Sequence, residues 1–104
     1  MATGILGQAA PAATTNTVVY TVPAATVGVV TISITNTTAL SIATRLAIAS
    51  SGTPTTSEYI EYDTIIGANG VLERSGIVMN ATEAVVVFAT SAGLAVSVYG
   101  YEEA

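Results

Sequence analysis

The feature that most constrains this chain is a period of two. In Val27–Asn36, Val30, Ile32 and Ile34 fall on one side and Val29, Thr31, Ser33 and Thr35 on the other. A backbone whose successive side chains point to opposite faces produces that pattern, and a helix does not. Ser41–Ala49 repeats it. Ile42, Thr44, Leu46 and Ile48 share one face, and Ala43, Arg45, Ala47 and Ala49 the other. β-Branched residues dominate both stretches, as a pleated, half-buried surface favours.

Further strands are predicted over Thr17–Val22, Glu58–Asp63, Val71–Met79, Glu83–Thr90 and Leu94–Tyr101. Pro23 ends the first of these, because proline cannot donate to a ladder. Residues 50–57 hold Gly52 and Pro54 and are predicted as a loop. Ala68-Asn69-Gly70 is a turn, since Asn and Gly tolerate positive φ. Gly76 suggests a bulge. The run Val85-Val86-Val87-Phe88 is apolar on both faces and belongs in the middle of a sheet. In the last strand Leu94, Val96 and Val98 point inward, and Ser97, Tyr99 and Tyr101 outward.

Seven short strands and no helical periodicity predict an all-β fold. The reading is a single antiparallel β-sandwich, Ig-like or jelly-roll-like, over residues 17–104. Residues 1–16 lack periodicity and are predicted as an extended N-terminal arm, loose alone and ordered by a neighbour. Ile5 and Leu6 would be its grip.

Charge narrows the function classes. Charged residues make up 9% of the 104, and the only bases are Arg45 and Arg74. An ordinary soluble domain carries about 25%. Little charge keeps copies apart, so the composition suits a protein covered by neighbours. A homo-oligomer is expected, with a trimer as the first guess. The net charge of −5 argues against a nucleic-acid backbone and against an anionic membrane. The first residues carry no basic region followed by a long apolar run. They therefore predict a chain made in the cytoplasm and used without processing.

Chemistry is scarce. Without His, Cys or Lys, the usual general base, thiol nucleophile, zinc ligands and Schiff-base amine are missing. No enzyme activity, cofactor or metal is expected. Paired carboxylates are what is left. Alternation puts Glu61 and Asp63 on one face and Glu58 opposite, a pair able to hold calcium or move protons. The simpler reading is an edge strand protected by charge. Glu102 and Glu103 read as a solvated tail tip. Asn36-Thr37-Thr38 and Asn80-Ala81-Thr82 match the N-glycosylation pattern and are taken as chance. The interface candidates are Ile5, Leu6, Arg45, Tyr99 and Tyr101. Tyr offers a large amphipathic face at low entropy cost. Arg45, alone among alanines, is expected to meet a carboxylate of another copy.

Several segments together carry a family likeness. They are Val19-Tyr20-Thr21-Val22-Pro23-Ala24, Ile32-Ser33-Ile34-Thr35-Asn36-Thr37 and Arg45-Leu46-Ala47-Ile48. With them go Tyr59-Ile60-Glu61-Tyr62-Asp63-Thr64, Ile66-Gly67-Ala68-Asn69 and Tyr99-Gly100-Tyr101-Glu102. From about Gln8 to Glu103 the chain resembles small virion structural proteins of tailed phages, frequent in cyanophages and other aquatic phages. The resemblance implies a particle component residing in the virion. Its first form is a capsid decoration (cement) protein at contacts between major capsid subunits. Its second is a module of a fibre, neck or tail. A family contact made through a base would fall to Arg45 or Arg74. From a different class, a carbohydrate-binding module would expect an exposed Trp or a polar aromatic cluster, and the chain has no Trp.

Overall fold

The computed structural model describes residues 2–104. Eight strands follow one another: β1 (Thr3–Ala9), β2 (Thr17–Thr21), β3 (Val27–Asn36), β4 (Ile42–Ala49), β5 (Tyr59–Ile66), β6 (Val71–Met79), β7 (Ala84–Ala89) and β8 (Leu94–Glu103). A single turn of 3-10 helix, Thr56–Glu58, precedes β5. Four antiparallel pairs are nested, β1 with β8, β2 with β7, β3 with β6 and β4 with β5. The contacts β3–β8 and β4–β7 join these pairs into two sheets, ordered β1-β8-β3-β6 and β2-β7-β4-β5. That is one long hairpin rolled on itself, the jelly-roll form of the β-sandwich.

Alternation builds the core as expected. Val30, Ile32 and Ile34 of β3 meet Leu46 of β4, Val87 of β7 and Val96 of β8, all buried. Ile48 packs against this cluster half-buried. In β7, Val85 and Val87 face the core, while Val86 joins Ala47, Ala49 and Ala84 on the outer side under Tyr59. The loop before β5 passes close to β2. A Cβ on Gly52 would lie 3.6 Å from the Val18 side chain of β2. The bulge expected at Gly76 is present, opposite Thr31, where the β3–β6 register shifts.

The eighth strand is a correction. Residues 3–9 are not an arm waiting for a neighbour; they are the edge strand of the first sheet, paired with β8. Their apolar pattern is hidden because Gly4, Gly7 and Ala9 supply three of the seven positions. Gly7 is required there. A Cβ on it would sit 2.3 Å from the Val19 carbonyl oxygen, so only glycine lets β1 press against β2. Residues 10–16 then carry the chain from one sheet to the other. Pro11 is buried, and the Thr14 amide donates to the Ala89 carbonyl at 2.8 Å. A domain boundary at residue 16 therefore does not match the sheets.

Candidate interaction surfaces

Two outer faces remain, one on each sheet. On the first, the strand register lines up side chains from all four strands. Thr3, Tyr101, Val29 and Val78 form one row, and Ile5, Tyr99 and Thr31 the next. Ile5 is 60%, Val78 65% and Tyr101 45% exposed, with Val29 and Tyr99 half-buried between them. Below lies a polar row, Gln8, Ser97, Ser33 and Glu73. The Gln8 amide donates to the Ser97 hydroxyl at 3.2 Å. The Tyr99 hydroxyl donates to Glu73 at 3.1 Å, fixing the ring. Partial desolvation, then the Glu73 carboxylate, push the Tyr99 phenol above its ordinary pKa.

Three sequence candidates, Ile5, Tyr99 and Tyr101, thus converge on one apolar stripe. Leu6 does not join them. Neighbouring strand residues point to opposite faces, and Leu6 packs into its own core while Ile5 faces out. It anchors β1 to the core.

Arg45 is also elsewhere, on the outer face of the second sheet. Its carboxylate partner lies in its own chain. Nε donates to Asp63 at 2.6 Å and one Nη at 3.4 Å. The guanidinium carbon lies 4.2 Å from the Tyr62 ring centroid and 4.8 Å from that of Phe88. Tyr59 meets Tyr62 edge to face, with centroids 4.9 Å apart. The sequence hides this group because its members come from three strands.

A backbone irregularity assembles it. Tyr62 and Asp63 are consecutive, so a regular strand would part them. Asp63 instead adopts a left-handed φ of 53°, the β4–β5 register slips, and both side chains reach Arg45. Asp tolerates that conformation better than most residues, at a strain of about 1–3 kcal/mol.

The same irregularity overturns the carboxylate pair. Glu61 sits opposite Leu46 and turns inward, while Asp63 turns outward. Glu61 accepts from Thr64 at 2.7 Å and from Arg74 of β6 at 3.0 Å. β5 and β6 are the edge strands on one side of the sandwich, and this ion pair bridges them. Inward charge and bulges are how edge strands are kept from foreign pairing. Glu58 caps the loop before β5, accepting from the amides of Ser50 at 3.0 Å and Thr55 at 2.9 Å.

Two polar anchors were not visible in the sequence. Glu102, expected in solvent, accepts the hydroxyl of Tyr20 and the Ala2 amide at 3.3 Å. Burial first, then Glu102, push the Tyr20 phenol well above its ordinary pKa. Asn36 is fully buried, so the glycosylation pattern there is closed to a glycan. No family model, curated protein or solved structure matches the chain.

Proposed function

We propose that this chain is a structural subunit of a phage particle, a capsid decoration protein that docks on major capsid subunits through the outer face of the first sheet. The observation that carries the reading is the stripe of Ile5, Val29, Val78, Tyr99 and Tyr101. Four strands present it to solvent on a domain with only two bases. Contiguous exposed apolar side chains on a small domain mark an interaction surface. The jelly roll is a fold that viral capsid domains use, as lectins also do, so the fold supports the reading without deciding it.

Magnitudes say how such a face works. Completing the burial of a half-exposed large side chain contributes about 1 kcal/mol, so five contribute about 5 kcal/mol. Association itself costs on the order of 4–15 kcal/mol. One stripe therefore holds weakly alone. It becomes effective when several copies engage a lattice together, as an oligomer on a shell does. The test compares the parent with Tyr101→Ser for incorporation into particles assembled in the host. Parent chain is expected in washed particles, with the variant depleted. Equal incorporation of both, or absence of both, contradicts the proposal.

A further inference from the structure

The opposite face holds a feature that particle docking does not use. Beside the Arg45 cluster runs a groove of about 480 Å³, lined by Pro54, Thr56, Tyr59 and Tyr62. That volume lies within the roughly 300–1,000 Å³ of small-molecule sites. Tyr62 is 58% exposed, although burying its ring would be favourable. Instead the ring is held in place at the surface. Arg45 covers part of it at 4.2 Å and Tyr59 abuts it edge to face. Arg45 is fixed in turn by Asp63. An aromatic ring immobilised before a ligand arrives loses little entropy when one does.

The chemistry of the groove selects the ligand. A ring face attracts the weakly positive C–H bonds of an apolar surface. Around it stand groups that bond hydroxyls, namely the Tyr59 and Tyr62 phenols and the Thr56 hydroxyl. Arg45 and Asp63 cancel in charge, and the chain as a whole carries −5. Both facts disfavour an anionic ligand. An apolar C–H face edged by hydroxyls, without charge, is a neutral pyranose. We propose that this groove binds a neutral saccharide, with one sugar ring packed against the Tyr59–Tyr62 pair and its hydroxyls bonded by Thr56 and the two phenols. The bulge at Asp63 then serves the site, since it brings Tyr62 and Asp63 to the same face.

The probes are the methyl glycosides of glucose, galactose, mannose and N-acetylglucosamine, titrated into the intact chain and followed by amide NMR. At least one is expected to give saturable shifts at the amides of Thr56 and Tyr59–Asp63 and none in β8. Tyr62→Ala is expected to weaken that binding roughly tenfold, and Tyr101→Ser to leave it unchanged. Tyr62→Leu, which keeps apolar bulk without the ring, replaces the alanine variant if that fails to fold. Absence of saturable shifts with all four probes overturns the proposal. So does binding that survives loss of the ring. Either failure leaves the docking role of the first sheet untouched, because the two faces lie on opposite sides of the sandwich.

Discussion

Replacing Asn36 with alanine removes the best-connected polar side chain of the fold. Its Nδ2 donates to the carbonyls of Leu40 at 2.7 Å, Ile66 at 3.0 Å and Gly67 at 3.2 Å. Two hydrogens serve three acceptors, so one is shared. Its Oδ1 accepts from the amide of Thr38 at 2.9 Å and its hydroxyl at 2.7 Å. The side chain thereby ties the β3–β4 connection to the turn after β5. A hydrogen bond contributes about 1 kcal/mol net, and a stranded buried acceptor costs about 1–3 kcal/mol. Counting two bonds lost outright and the Ile66 carbonyl stranded, Asn36→Ala should cost about 3 kcal/mol. Against a typical stability of 5–15 kcal/mol that is a large share. The thermal midpoint, followed by circular dichroism, should fall by about 12–20 °C. Thr38→Val removes only the hydroxyl of this group and should cost about 1 kcal/mol. A midpoint for Asn36→Ala within about 3 °C of the parent would refute the reasoning. So would a Thr38→Val penalty as large as that of Asn36→Ala.

Leu6 and Ile5 should separate in urea unfolding. Leu6→Ala is expected to cost about 2 kcal/mol as a core truncation, and Ile5→Ala less than about 0.5 kcal/mol as a surface change; equal effects would contradict the assignment of their faces. Glu58 gives a pH dependence. Backbone N–H bonds from Thr55, then Ser50, hold its carboxyl below the ordinary value. The folded value thus lies under the unfolded one, so the stabilisation is fully present above the ordinary Glu value of about 4.3, declines below it and is lost as pH falls through the lower folded value. The Ser50 and Thr55 amides should lose exchange protection there, and Glu58→Gln should remove the pH dependence; protection that is flat with pH in the parent would count against the cap.

Much of the fold was legible because alternation reports burial directly. β3, β4 and β8 read correctly, and Tyr99 and Tyr101 point outward as the period of two requires. β1 was illegible for a physical reason. Its place depends on Gly7, a residue whose role is to be small, and a missing side chain leaves no hydrophobic signal. Asp63 shows a second limit. Nothing in Glu61-Tyr62-Asp63 announces a left-handed φ, yet that one dihedral angle sends Glu61 to Arg74 and Asp63 to Arg45. Tyr62 escaped notice for the same reason. Its meaning comes from Arg45, which only strand register brings beside it.

The most direct measurement of the central claim is an averaged electron cryomicroscopy map of particles carrying this chain. The account predicts the domain on the capsid surface with Ile5, Val78, Tyr99 and Tyr101 against a capsid subunit and Tyr62 facing solvent. A map without the domain, or one in which it docks through the Tyr62 face and leaves Tyr101 exposed, would contradict it.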